Sequence, residues 1–121
     1  MTFDPDDLTA LATAREVRLE TQAAGGPPHR TIVWVVVDGD RVFVRSWRGA
    51  GARWYREAIA NPAVAIVLAG RRLPAVAIPA GDPDSAARAS AALSAKYAGH
   101  PATASMVRQE ILATTLRLEP A

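Results

Sequence analysis

Thr31-Ile32-Val33-Trp34-Val35-Val36-Val37-Asp38-Gly39-Asp40-Arg41-Val42-Phe43-Val44-Arg45-Ser46 is the stretch whose reading decides the fold. Two runs rich in β-branched residues flank Asp38-Gly39, which predicts a β-hairpin with a two-residue type I′ loop. With Asp38-Gly39 as the loop, Val33 faces Val44 and Val35 faces Val42, an all-valine strip suited to a barrel interior. The other face pairs Trp34 with Phe43, Ile32 with Arg45 and Arg30 with Trp47. Aromatic rings mixed with arginine make a poor core but a good ligand or dimer surface.

Working outward, Val17, Leu19 and Thr21 alternate with Arg18 and Glu20, the period of a half-buried strand. Ala23-Ala24-Gly25-Gly26-Pro27-Pro28 reads as a loop. Towards the N-terminus, Asp4-Pro5-Asp6-Asp7 predicts a helix start, with a capping carboxylate, proline in the first turn and acids at the positive dipole end. Beyond the hairpin, 52–60 predicts a helix stopped by Asn61-Pro62. Strands follow over 63–68 and 73–78, with Pro74 pointing to an edge position or a bulge. Asp82-Pro83 starts an alanine-rich helix ending near Gly99, and Pro101 opens a further short one. Leu112, Thr114, Leu116 and Leu118 alternate as a closing strand. Connections too short for parallel crossovers make the six strands mainly antiparallel, a small barrel partly closed by helices in a single domain over 1–121.

The 121 residues suit one domain, and 26 of them are alanine, so the core must be compact. The absence of cysteine excludes a disulfide framework, a thiolate nucleophile and a cysteine-based metal site. The acidic start has no basic region followed by an apolar stretch, and the longest run of large apolar residues, 32–37, is far short of a membrane span. A soluble cytoplasmic protein with no membrane partner is expected. The net charge of +2 conceals an uneven distribution: residues 41–72 hold seven arginines and one acid, Glu57. Anion binding is the leading reason for such a segment. Nucleic acid is not the expected anion, because Lys96 is the lone lysine and no RNA-binding signature is present.

The strongest candidate for chemistry is Gly49-Ala50-Gly51 entering the predicted helix between Arg48 and Arg53. A helix start offers unpaired N–H groups and a positive dipole, glycines let backbone approach an anion, and arginines add charge-assisted bonds. Phosphate suits such a site. Read locally, the same residues equally describe a surface turn with solvated arginines. His29 and His100 adjoin prolines without metal-ligand spacing and read as solvated loop residues; no metal site is expected. Tyr97, on the alanine-rich helix, reads as packing before catalysis. These three are also the non-carboxylate groups able to supply a proton. No catalytic residue is assigned.

Trp54-Tyr55-Arg56-Glu57-Ala58-Ile59-Ala60-Asn61-Pro62 resembles the W-Y-x-N-L-x-A-N-P helix of deazaflavin (F420)-dependent nitroreductase-type proteins. The hairpin ending in Val44-Arg45-Ser46 before a glycine loop resembles their wider clan, the FMN-binding, pyridoxamine-phosphate-oxidase-like split barrels. Within that clan the W-V-V-V-D-G and W-Y-R stretches are similar to those of an uncharacterised bacterial family. The likeness runs from Arg15 to Leu118. It implies a six-stranded antiparallel split β-barrel with short flanking helices, forming a homodimer with FMN or coenzyme F420 at the interface. It further implies that Arg48, Gly49, Gly51 and Arg53 hold the phosphate, with Trp54 in the same helix start. Arg30 and Thr31 would lie along the ribityl phosphate or ring edge, and Arg45 and Ser46 would supply phosphate or ribityl contacts. Trp34 and Trp47 would flank the ring or build the dimer contact. Glu57 stands where the deazaflavin family has Asn, and Ala58 replaces its Leu. The resemblance implies an oxidoreductase acting on a small organic substrate; the alternative is a non-catalytic split barrel carrying a flavin- or haem-like ligand.

Overall fold

The structure, a computed structural model, describes residues 2–121. Helix α1 (Pro5–Thr13) starts as the sequence predicts: the Asp7 N–H donates to Asp4 Oδ1 at 3.0 Å, and Asp6 and Asp7 occupy the first turn. Strand β1 (Val17–Gln22) buries alternate residues and pairs antiparallel with β2 (Pro28–Val33), from Val17 opposite Val33 to Gln22 opposite Pro28. The ladder stops at Trp34 and Val35. The chain then forms β3 (Val36–Asp38), which pairs with β4 (Arg41–Val44).

This overturns the single long strand over 31–37 and the predicted register. Asp38 opposes Arg41, Val37 opposes Val42 and Val36 opposes Phe43. The two-residue loop is therefore Gly39-Asp40, with Gly39 at φ 63° in the first loop position, as in a type II′ turn. The partners move by two residues, which leaves each side chain on its original face. Val33, Val35, Val42 and Val44 thus all reach the interior, as the alternation requires, although they do not oppose one another.

A 3-10 turn (Gly49–Gly51) leads into α2 (Arg53–Ala60), stopped at Asn61-Pro62. Strands β5 (Ala63–Leu68) and β6 (Arg71–Pro79), helix α3 (Pro83–Lys96), one-turn helix α4 (Thr103–Met106), a 3-10 segment (Gln109–Thr114) and β7 (Leu116–Pro120) complete the chain. The sheet order is β2-β1-β5-β6-β7-β4-β3, with every pairing antiparallel. Its outermost strands, β2 and β3, are separated by only Trp34 and Val35 along the chain. The sheet must therefore curl until its edges come together. The result is a curled half-barrel of seven strands rather than six, with short helices.

Two further expectations change. The closing strand begins at Leu116, not Leu112: Thr114 and Thr115 hydroxyls donate to the carbonyls of Ile111 and Leu112, both at 2.7 Å, a local alternative to a ladder. Pro74 lies in the interior strand β6, opposite Ala65, but its carbonyl meets the N–H of Ala121 beyond the end of β7. Its missing N–H thus falls where the neighbouring ladder has finished, locally an edge.

The curl encloses a core built from Leu11, Leu19, Val35, Val42, Ile66 and Leu116, with Trp54 and Ala58 of α2 packed into it. A second cluster lies between the β3–β4 hairpin and α3, around Phe43, Leu93, Tyr97 and Ile111. Phe43 is therefore not part of an exposed aromatic face: it is 1% exposed, in the same cluster as Ala89 and Leu93 of α3. Among the described residues no helix is long and apolar enough to cross a membrane.

Candidate active-site cleft

A cleft of about 740 Å³ opens where β2, the β4–α2 connection, the start of α2 and α4 meet. That volume lies within the range of roughly 300–1,000 Å³ typical of small-molecule sites. Thr31, Ile32 and Val33 of β2 line it, followed by Trp34 in the crossing between the sheet edges. Ala102 and Met106 of the α4 region provide another part of the wall.

Gly51, Ala52, Arg53 and Trp54 bring the start of α2 to the cleft. Ala52 has no side-chain acceptor to cap the helix, and Arg56 is the first residue whose N–H bonds back to Ala52 O, at 3.1 Å. The N–H groups of the first turn therefore remain available beside the cavity, with the positive end of the dipole. The approach is shaped by Ser46, whose Oγ donates to Gly49 O at 2.7 Å. Gly49 takes φ 74°, where a side chain is strained. Gly51 differs: a Cβ there would meet nothing within 4 Å.

Four arginines line this cleft: Arg45, Arg48, Arg53 and Arg56. No aspartate or glutamate lines it, and among the described residues none of the four lies within ion-pair distance of a carboxylate. Elsewhere Arg30 and Arg72 share Glu20, Arg71 meets Asp7, and Arg88 meets Asp38 and Asp84. Positive charge is thus concentrated in an otherwise apolar and aromatic hollow. Arg48, Arg53 and Arg56 are exposed, whereas Arg45 is 2% exposed. Burial lowers the Arg45 pKa from its ordinary value, though a guanidinium stays charged near neutrality.

Trp34 forms an aromatic wall. Its ring stacks on Tyr97 with centroids 3.9 Å apart, and His100 stands perpendicular to it at 4.8 Å. Tyr97 is 1% exposed and its hydroxyl donates to Arg15 O at 2.6 Å; burial pushes the phenol pKa up. Neither Tyr97 nor either histidine lines the cleft. His100 Nδ1 accepts the Ala102 N–H at 3.0 Å, and His29 lies in β2 with Nδ1 3.1 Å from Glu57 Oε2.

Six of the nine residues expected in the site converge here: Thr31, Arg45, Arg48, Gly51, Arg53 and Trp54. Arg30 does not, because its Nε donates to Glu20 at 3.2 Å across the β1–β2 ladder. Ser46 is fully buried and, like Gly49, supports the turn from behind the cleft. Ile32, expected on the ligand or dimer face, lines the cleft, whereas Arg56, Ala102 and Met106 were not singled out by the sequence. Arg56 follows Arg53 by three residues, a helical spacing that places both on one face. Nothing local marks Ala102 or Met106, which tertiary packing brings in from far along the chain.

Glu57 sits at the Asn position of the deazaflavin helix pattern and has a structural task. Its carboxylate accepts from Thr21 Oγ1 at 2.9 Å and meets His29, tying α2 to β1 and β2. Partial burial pushes its pKa up, but the Thr21 and His29 hydrogen bonds, together with the positive charge of His29 and Arg53, hold it below the ordinary carboxyl value.

Solved structures share this fold at low identity. The haem storage protein HutZ of Vibrio cholerae superposes with a TM-score of 0.67 and 20% identity, over 100% of this chain and 92% of that one. The F420-H2-dependent reductase FDR-A superposes with a TM-score of 0.65 and 16% identity, over 87% and 94%. A provisional pyridoxamine 5'-phosphate oxidase of Listeria innocua gives 0.68 and 16%, over 95% and 90%. The architecture is the pyridoxamine-phosphate-oxidase-like split barrel. No curated protein matches the sequence. Residues 7–118 match a bacterial family, and the chain belongs to it: "Uncharacterized protein conserved in bacteria (DUF2255)".

Proposed function

We propose that the cleft binds a phosphate-bearing flavin-type cofactor, FMN or coenzyme F420, and that the protein is an oxidoreductase acting on a small organic substrate. The observation that carries this reading is the set of four carboxylate-free arginines around an uncapped helix start. Such a site suits an anionic phosphate through charge-assisted hydrogen bonds and backbone N–H donors. Arg48, Arg53 and Arg56 with the first turn of α2 would hold the phosphate, and Trp34 and Ile32 would contribute apolar surface for a ring. When bound, the cofactor supplies hydride transfer; the protein contributes binding, orientation and a positive environment that favours an anionic reduced ring.

The split-barrel neighbours include a haem storage protein as well as a reductase, so a haem carrier is the second reading. The donor set here favours it less. Among the described residues no histidine, cysteine or tyrosine lines the cleft, and Met106, a soft donor there, is 5% exposed. His100 already accepts a backbone N–H through Nδ1. Its Nε2 would then carry the proton in the neutral ring, unsuited to iron ligation.

A homodimer belongs to the same proposal, for a different reason than the sequence offered. Phe43 is internal and Trp34 is partly buried, but Ile32 and Trp47 at the cleft are 56% and 53% exposed. A second copy covering them would also narrow an open cofactor site. Parallel fluorescence titrations with FMN and F420, and an absorbance titration with haemin, test the reading alongside light scattering. Saturable binding of FMN or F420 is expected. Binding of haemin alone overturns the oxidoreductase in favour of the carrier, and binding of none removes both.

A further inference from the structure

α4 is a single turn with no side-chain cap, yet Met106 at its end and Ala102 before it line the cavity. It is held by Thr103 Oγ1, which donates to Tyr97 O at 2.7 Å, by the packing of Met106 in the second cluster, and by two arginines. Arg108 Nη1 and Nη2 bond Ser105 O and Trp47 O, both at 2.6 Å, and Arg45 Nη1 bonds Met106 O at 3.0 Å.

Arg45 is the unusual member. Its Nε donates to Thr115 Oγ1 at 2.9 Å, Nη1 also to Ser90 Oγ at 2.8 Å, and Nη2 to Ala86 O at 3.0 Å. Four of five N–H donors are therefore engaged with neutral acceptors from α3, α4 and the start of β7. This buried cation at the cleft has no carboxylate partner among the described residues. A desolvated charge without a counter-charge is unfavourable. Without an anion beside it, any opening of α4 that admits water to the guanidinium relieves that penalty.

We propose that Arg45 is a positioning residue that couples an anion in the cleft to the placement of α4. The inference rests on the reading that the cleft accepts an anionic group. Held by four bonds, the guanidinium cannot swing out to the ligand. The anion instead compensates the charge in place and removes the advantage of opening, so the wall closes on the occupied site. By linkage, a well-placed wall strengthens anion binding by the same factor.

The test is hydrogen–deuterium exchange over 102–107 with inorganic pyrophosphate as probe, against sodium chloride at matched ionic strength, with binding followed by calorimetry. Saturating pyrophosphate is expected to slow exchange about tenfold in the wild type. Arg45→Lys is expected to bind pyrophosphate through Arg48 and Arg53 but to lose the slowing, whereas Arg53→Ala retains it at saturation. A purely structural role for Arg45 would not make the protection depend on the anion. Should Arg45→Lys not fold, Ser90→Ala, which removes one Nη1 acceptor, is expected to diminish the slowing. Binding without slowing, or slowing undiminished in Arg45→Lys or Ser90→Ala, overturns the coupling alone. Absence of pyrophosphate binding to the wild type removes the anion-cleft reading and the coupling together.

Discussion

Replacing Arg53 by alanine separates the cleft from the rest of the arginine-rich surface. Arg53 is the first residue of α2, borders the cavity and has no carboxylate partner among the described residues. A charge-assisted hydrogen bond contributes about 1.5–3 kcal/mol. Exposure of Arg53 places its contribution at the lower end, because solvent screens it. The expected loss is therefore about tenfold in cofactor affinity, with little change in melting temperature. Arg30→Ala is the matched control. The sequence places Arg30 in the site, but the structure pairs it with Glu20 outside the cleft, so its affinity should stay within about twofold of wild type. Fluorescence titration of both variants with whichever of FMN and F420 binds decides the matter. A larger loss for Arg30→Ala than for Arg53→Ala would refute the placement of the anion site at the start of α2.

Glycines at two positions should behave oppositely. Gly81→Ala places a Cβ 3.0 Å from backbone atoms of Ala113 and is expected to destabilise the protein by about 1–3 kcal/mol in denaturant unfolding. Gly51→Ala, with open space around its Cβ, should fold normally but bind cofactor more weakly if ligand approaches that backbone. Glu57→Gln should lower the melting temperature at pH 7. Because the native pKa is depressed, this contribution exists above the ordinary value of 4.5 and fades as pH falls through the native one, so the two melting curves should converge in acid. Lys96 donates from Nζ to Leu11 O and Val35 O; burial, with the charge of Arg15, lowers its pKa to about 8 from 10.5. The unfolded chain then holds more protons between those values, so wild-type stability should gain a rising component over that window, absent in Lys96→Met. Equal pH slopes would contradict the burial of this ammonium.

Most elements with local causes were legible in the sequence. Asp4-Pro5 and Asp82-Pro83 cap their helices through bonds reaching three residues, and Asn61-Pro62 ends α2 by denying it a continuation. The alternation of valines assigned Val33, Val35, Val42 and Val44 to the interior without knowledge of any partner. Glycines and arginines around 48–53 likewise drew attention to the helix start, and the structure opens a cleft beside it.

Strand partners had no such local cause. A period of two names a face but not a neighbour, so the break at Trp34-Val35, which lets one run serve both edges of the sheet, depended on β1 and β4. The fate of Phe43 depended on α3, which covers it from 40 or more residues away. The arginines differ most tellingly. Arg30 and Arg53 are chemically identical, yet one meets Glu20 across a ladder and the other borders the cleft without a carboxylate within ion-pair distance among the described residues. Charge type is written in the sequence. Whether that charge is paired, buried or free to meet a ligand is an electrostatic property of neighbours brought together in space, and only the tertiary structure supplies them.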